Sequence, residues 1–366
     1  MATEVTLKDV ARLSGCSVAT VSRVLAGTRP VGAETARRVR EAAESLGYRP
    51  NQVARALRSR STGTIGLVLP QITNPFFPSL VRELEHALHA GGRAVLLADC
   101  DDDPAIEAAR ISALLDRQVD ALLVIPVDEK RSRAAVTAAA ARVPLVLLDR
   151  ACGPGVADSV GIDNAAGMAL VLEHLAATGR RRICFVGAAG TNSAAVERRA
   201  AYEAGVAALD PQAPGRVELG DFSVAWGRAA VDRIWPDRPD AIVCANDLIA
   251  LGALRRLQQL SVDVPGEVAV TGFDDIPIAT LADPDLTTVR QPSGELAAEA
   301  ARLLDQRLAD QRPADQRPAD QRPADGRPRS PRAIRLAPQL VIRASSAPGT
   351  TGATGARSTR TTEEVQ

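Results

Sequence analysis

From Thr64 onward the chain alternates short, continuously apolar runs with stretches of helical periodicity, and this alternation constrains the fold more than any other feature. The runs are Ile65 to Leu69, Val95 to Ala98, Ala121 to Ile125, Val143 to Leu148, Ile183 to Val186, Ala241 to Cys244 and Val268 to Thr271. A strand that is apolar on both sides is buried on both faces. Strands alternating with helices require crossover connections, and hence parallel sheets covered by helices. At 366 residues the chain is too long for a single core. Two sheets are expected, over about 61–160 and 161–290. The default ligand site is the cleft between them, beyond the carboxyl ends of the strands.

The head of the chain is different. TLKDVARLSGCSVATVSRVL (Thr6 to Leu25) reads as two short helices joined by a tight turn. Thr6 with Asp9 three residues on is a capping box, and Leu7, Val10 and Ala11 give the first helix one apolar face. Gly15 supplies the backbone freedom of the turn, and Ser17 caps the second helix. On that helix Val21, Val24 and Leu25 face inward, leaving Val18, Ala19, Ser22 and Arg23 outside. The pattern fits an ordinary core hairpin as well as a helix-turn-helix that lays its second helix in a major groove. Charge separates the two. Residues 1–60 carry eleven basic side chains against five acidic ones, although the whole chain is neutral. A basic head on an acidic body is the footprint of a phosphate-binding module.

A third helix is expected from Ala33 to Leu46, ended by Gly47. Asn51 then caps a short segment, Gln52 to Arg58, below the roughly 12–15 residues an isolated helix needs in water. Leu57 sits on it among Arg55, Arg58 and Arg60, as a wedge between base steps or as a contact to a neighbouring domain. Pro292 to Leu308 is a further helix, followed by a five-residue repeat, DQRLA, DQRPA, DQRPA, DQRPA, DGRP. Proline every fifth residue forbids a continuous helix there, so a disordered insert is expected. Order resumes at Ala333 to Arg343, and the Ser/Thr/Gly-rich remainder lacks material for a core.

Several function classes are excluded. There is no GxSxG, HExxH, GxGxxG or GxxxxGK[ST], which removes the common hydrolase, zincin, dinucleotide and P-loop enzymes. Five scattered cysteines have no ligand spacing and read as reduced, mostly buried thiols. Glu83, His86 and His89 share a helix side but have no partner cluster, so no metal and no cofactor is expected. No apolar run spans a bilayer, and the N-terminus has no basic start followed by an apolar stretch, so neither membrane nor export is expected and the chain is placed in the cytoplasm. A solute-binding protein for transport, the main rival for a two-lobed body, fits neither the missing export signal nor the basic head.

These residues, in order and at this spacing, resemble the lactose-repressor/galactose-repressor (LacI-type) family of bacterial transcription regulators over about residues 6–343. The signs are the Thr6 to Leu25 stretch, LGYRPNQVARALRS (Leu46 to Ser59), TIGLVLPQITNPFF (Thr64 to Phe77), VPLVLLDR (Val143 to Arg150), AND (Ala245 to Asp247), VPGEVAVTGFDDIPIA (Val264 to Ala279) and LTTVRQP (Leu286 to Pro292). The resemblance implies an all-α helix-turn-helix head and an α/β, two-lobed, periplasmic-binding-protein-like effector domain. It implies a homodimeric repressor on a near-palindromic operator in double-stranded DNA, controlled allosterically by a small molecule in the interlobe cleft. A sugar is the leading expectation and a nucleoside or purine the alternative.

By the same resemblance Val18, Ala19 and Arg23 face bases, where apolar side chains suit a thymine methyl and an arginine suits guanine O6/N7. Thr20, Ser22 and the helix starts at Thr6 and Ser17 suit phosphates. Asn51, Arg55 and Leu57 map onto the family's hinge helix. In the cleft, Phe77 and Phe222 would stack on the ligand, and Asp149, Arg198, Asn246 and Asp274 would hydrogen-bond it; Asp247 is read as a helix cap. The implied domains are a head (1–50), a hinge helix (51–60) and a ligand-binding and dimerisation domain (61–343). Its lobes take about 61–160 plus 292–308 and 161–290 plus 333–343, with a disordered insert (309–331) and tail (344–366). Gly32 stands where the family usually has serine, Ala26 where asparagine is common, Arg180 where histidine is common, and Ala201 where glycine is usual.

Overall fold

The computed structural model describes residues 5–26, 31–48, 61–190, 192–210, 215–311 and 330–347. The chain divides into two compact units, one up to Thr64 and one from Ile65 on.

The first unit holds helices α1 (Leu7–Ser14), α2 (Val18–Ala26) and α3 (Ala33–Ser45). Each is too short to stand alone, and they hold because their apolar stripes meet. Val10, Val21 and Val39, one from each helix, are fully buried at the centre, with Ala11, Val24, Ala36, Ala42 and Ala43 around them. The α1 start is built as expected: the Asp9 carboxylate accepts from the Thr6 amide at 3.0 Å and the Thr6 hydroxyl at 2.7 Å. Gly15 has φ +64° and closes α1. Ser17 Oγ accepts from the Thr20 amide at 3.1 Å and so caps α2. The Arg38 guanidinium, from α3, donates to the Ser14 carbonyl and lies where a Gly15 side chain would stand. The turn is thereby pinned by the third helix.

The second unit runs β1 (Thr64–Leu69), α4 (Phe76–Ala90), β2 (Ala94–Asp99), α5 (Pro104–Asp116), β3 (Ala121–Val124), α6 (Arg133–Ala140), β4 (Leu145–Leu148) and β5 (Asp158–Ile162). It continues with α7 (Asn164–Ala177), β6 (Ile183–Ala188), α8 (Ser193–Leu209), β7 (Arg216–Gly220), α9 (Val224–Ile234), β8 (Ala241–Cys244), α10 (Asp247–Gln259), β9 (Ala269–Thr271) and β10 (Thr288–Arg290). It closes with α11 (Ser293–Asp310), β11 (Ala333–Leu336) and β12 (Gln339–Val341). Two sheets form, β11-β5-β4-β3-β1-β2 and β7-β6-β8-β9, and a two-stranded antiparallel ribbon pairs β10 with β12. The parallel pairing of β1 with β3, β3 with β4, and β6 with β7 and β8 follows from the helical crossovers. In the second lobe α9 and α10 touch backbone to backbone: a side chain on Gly227 would meet the Ile249 carbonyl at 2.0 Å, and one on Gly252 the Val224 carbonyl at 2.2 Å.

The lobe boundaries differ from expectation. Residues 333–336 belong to the first sheet, not the second lobe, because β11 lies parallel to β5 with Ile334 opposite Val160. β5 itself extends the first sheet to Ile162. The ordered chain also runs past residue 343. Ser345 and Ser346 are fully buried; Ser345 Oγ donates to the Val270 carbonyl at 2.6 Å and accepts from the Thr287 amide at 2.8 Å. Ser346 Oγ lies 2.7 Å from both Thr287 Oγ1 and His174 Nε2. Two small hydroxyl side chains complete a buried polar seam, which is why this stretch is not tail. The helix after Pro292 reaches Asp310, so the insert begins later than residue 309; the disorder expected of it concerns residues 312–329, outside the described set.

Candidate DNA interface and effector cleft

On α2 the side chains divide as their spacing predicts. Val21 and Val24 are buried, while Val18, 42% exposed, Ala19 and Arg23 point away from the core and Thr20 and Ser22 are half-buried. Val18 is thus an exposed apolar side chain at the first turn of a helix whose inner face is buried. The Ser17 and Thr20 hydroxyls lie 2.9 Å apart, so the pair presents its remaining lone pairs and hydrogens together at the helix start. The Thr6 hydroxyl is committed to Asp9, which holds that carboxyl below the usual carboxylate range. The Thr6 side chain is thus part of the cap of α1. Asn51, Arg55 and Leu57 lie outside the described residues.

In the second unit all six expected effector residues line one cleft at the carboxyl ends of strands from both lobes: Phe77, Asp149, Arg198, Phe222, Asn246 and Asp274. Arg198, on α8, organises it. Its Nε donates to Asn164 Oδ1 at 2.8 Å, and its NH1 group donates to the Ala245 carbonyl at 2.8 Å and to Asp274 Oδ1 at 3.3 Å. Its guanidinium carbon lies 3.7 Å from the centroid of the Phe273 ring. Asp274 also accepts from Gln291 Nε2 at 2.7 Å. Burial pushes the Asp274 carboxyl up to about 6, against the pull of Arg198. Burial likewise raises Asp149, which the adjacent Arg150 and Arg198 partly offset. Asp149 and Asp274 hold left-handed backbones, φ +62° and +113°, that side-chain-bearing residues seldom adopt; such strain gathers where a side chain must be aimed.

Sequence reasoning missed six lining residues: Asn74, Phe76, Arg150, Asn192, Ala194 and Gln291. Asn74 and Phe76 stand inside the NPFF signal, where only Phe77 was singled out, and Arg150 directly follows Asp149. Gln291 stands inside the LTTVRQP signal, where no residue was singled out, and Asn192 and Ala194 carry no local signal. Asn246, not Asp247, caps α10: its Oδ1 accepts from the Ile249 amide at 3.0 Å. Asn192 caps α8 in the same way through the Ala195 amide at 2.9 Å. Each asparagine thus has its NH2 group left for a ligand. Asp247 is buried behind the cleft, accepting from Thr288 Oγ1 at 2.5 Å and the Ile276 amide at 2.8 Å.

Three buried polar atoms of the cleft residues have no hydrogen-bond partner: Asp149 Oδ1 and Gln291 Oε1, both acceptors, and Arg150 Nε, a donor that lies 3.6 Å from Asp149 Oδ2 in an ion pair. Beside them Phe76 and Phe77 meet edge to face, ring centroids 5.3 Å apart. The space left between the lining groups is about 20 Å³, room for about one water. A ring-sized ligand enters this cleft only if the lobes part.

No group of three metal-ligating side chains occurs among the described residues, and the Glu83, His86 and His89 face holds none. No described helix is long and apolar enough to cross a membrane. All five cysteines are free; burial pushes the thiols of Cys100 and Cys152 up to about 12 and that of Cys184 up to about 11, so they are poor nucleophiles.

Comparison with known proteins agrees with this geometry. Residues 6–51 match the model for bacterial regulatory proteins of the lacI family, and residues 172–346 match a periplasmic binding protein-like domain. Over 307 residues the chain is 32% identical to the HTH-type transcriptional repressor PurR of Aliivibrio fischeri, covering 82% of this chain and 91% of that one. The chain belongs to the LacI family. The ribose operon repressor of Escherichia coli is also 32% identical over 305 residues, covering 82% of this chain and 92% of the relative. Among solved structures, a Lac repressor dimer bound to operator and the anti-inducer ONPF aligns with a TM-score of 0.79 at 25% identity, over 94% of this chain and 99% of that one. A complex of the transcriptional regulator CelR with cellobiose aligns with a TM-score of 0.64 at 30% identity, over 93% and 100%. This LacI-family chain is a DNA-binding transcription regulator, not an enzyme.

Proposed function

We propose that this LacI-family protein is a repressor that binds a near-palindromic operator as a homodimer and answers to a neutral, polyhydroxylated small molecule, a sugar, held between the lobes of its second unit. One helix-turn-helix reads only a few bases, and a twofold pair reads two half-sites about one helical turn apart. The exposed row Val18, Ala19 and Arg23 supports base reading. The observation that carries the ligand chemistry is the trio of buried atoms with no hydrogen bond, Asp149 Oδ1, Gln291 Oε1 and Arg150 Nε. Two acceptors and one donor match hydroxyl groups, which both donate and accept. Two carboxylates and two guanidinium groups line the cleft, Asp149 and Asp274 with Arg150 and Arg198, so it balances without a charged guest. The phenylalanines cover the apolar faces of such a ring.

Ligand and operator act on each other through a coupling free energy; one of roughly 1–3 kcal/mol changes operator affinity 5- to 150-fold. The test is a gel shift on near-palindromes from the protein's own genomic neighbourhood, with sugars, nucleosides or purines added. A sugar that changes the shift supports the proposal. A change with purines or nucleosides alone overturns the sugar reading, and indifference to every palindrome at low salt overturns the repressor reading.

A further inference from the structure

Beside the effector cleft lies a second cavity of about 300 Å³. Asp102, Val127 and Arg131, from the loops after β2 and β3, form one wall; Ala189, Asp221 and Phe222, after β6 and β7, form the other. It therefore opens between the same two lobes and at the same ends of the strands. Asn192 and Phe222 line both spaces, so the two are neighbouring chambers of one cleft with an aromatic side chain at their boundary. Their chemistry differs. The inner chamber is built of buried charges that bond one another. In the outer one Asp102, Arg131 and Asp221 are exposed, with Ala189 and Gly190 beside them leaving room. Carboxylates accept from hydroxyls, and the half-buried Phe222 offers a face against which a ring packs. The outer volume is at the lower bound of cavities that hold a small organic ligand, whereas the inner one must open to take a single ring.

We propose that the effector has two sugar rings, the inner one held among Asp149, Arg198 and Asp274 and the outer one seated on Phe222, its hydroxyls donating to Asp102 and Asp221 and accepting from Arg131. This inference rests on the sugar reading above and adds the length of the ligand to it. It separates two kinds of molecule that the inner residues alone treat alike, a free monosaccharide and a disaccharide carrying the same ring.

The test is calorimetric titration of the full chain with a panel of monosaccharides and the disaccharides built from them. A disaccharide is expected to bind at least tenfold more tightly than its component rings. Ala189→Trp, which fills the outer chamber from an exposed position, is expected to remove that advantage while leaving the monosaccharide affinity within about threefold. Arg131→Ala, an exposed change with little consequence for folding, is expected to weaken the disaccharide several-fold and so serves if the tryptophan variant does not fold. A monosaccharide that binds as tightly as any disaccharide overturns the outer site and leaves the sugar reading intact. So does a disaccharide indifferent to both variants. If no saccharide binds, both fall.

Discussion

Arg307 grips Asp158 with two hydrogen bonds of 2.8 Å, from Nε to Oδ2 and from NH2 to Oδ1, and the carboxylate they hold is fully buried. The Arg332 amide adds a third, also 2.8 Å, to Oδ1. Arg307 precedes the DQRPA repeats and Arg332 follows them, so a single β5 carboxylate ties off both ends of the insert. Arg307 itself belongs to the first unit, DQRLA, which is helical; the copies after it add chain beyond a closed base. Deleting residues 315–324, two whole repeats, is therefore expected to shift unfolding stability by less than about 1 kcal/mol, since loop-closure entropy changes by only about 0.6 kcal/mol per doubling of length. Asp158→Asn removes the buried half of this ion pair and is expected to cost about 3 kcal/mol at pH 7. Urea unfolding of both variants checks the contrast; similar losses would mean that the insert itself carries stability.

The same carboxylate fixes a pH dependence. Its arginine partners hold Asp158 below the usual carboxylate range, although burial opposes them. A depressed folded value gives stability that is present above the unfolded value of about 3.9 and lost as the pH falls through the folded one. Asp274 works the other way. Between 3.8 and about 6 the folded chain keeps a proton that the unfolded chain has released, so stability drawn from this group falls as the pH rises through that window. Asp149 is raised in the same direction. Asp274→Asn cannot titrate, so against the unaltered protein its relative stability should climb between pH 4 and 6.5, by on the order of 2 kcal/mol. Melting curves across that range read the slope, and a constant offset between the two proteins would show that Asp274 does not titrate there.

What could be read in advance followed from local pattern. β1, β3, β4, β6 and β8 lie in runs apolar on both sides, and the head's helices announced themselves by caps and period. β5 and β11 were not legible. DSVGI opens on an aspartate and AIRL contains an arginine, and each becomes a strand because of a partner far away in the chain. β7, RVELG, is an edge strand whose half-buried side chains give no clear alternation. The six cleft residues came from family resemblance; Gln291, after β10, lies inside the LTTVRQP signal without having been singled out, while Asn192, at the α8 cap, is placed by tertiary structure alone. Ser345 and Ser346 looked like the start of a polar tail because small hydroxyl side chains give no sign that they will be buried.

In the head, Gly15 carries the turn at φ +64° with the Arg38 guanidinium 3.1 Å from where a side chain would begin. Gly15→Ala is expected to destabilise the unit by about 1–2 kcal/mol, the cost of a left-handed backbone for a residue with a Cβ. Arg23→Ala should leave folding unchanged, because Arg23 is exposed on α2. If Arg23 reads a base, it should cost about 1–3 kcal/mol in operator binding and relax preference at one position of each half-site. Footprint titrations on matched and mismatched sites separate this from a phosphate contact, which would weaken all sequences equally.

Arg198 offers the sharpest test of the cleft, because one planar group meets three elements at once: Asn164 at the start of α7, the Ala245 carbonyl after β8, and Asp274 after β9. A lysine keeps the charge but has a single nitrogen and no plane to lie on Phe273. Arg198→Lys is expected to fold and to bind operator within about threefold of the unaltered protein, while effector affinity falls at least tenfold, since a lost hydrogen bond to a charged group costs about 1.5–3 kcal/mol. Arg198→Met should do worse at pH 7, because it strands the buried Asp274 charge, and should recover part of its stability below pH 6 as that carboxyl takes up a proton. Gel shifts with and without effector, and melting curves at pH 5.5 and 7.5, measure both effects. A lysine variant with a full effector response would show that only the charge at this position matters and not its planar reach.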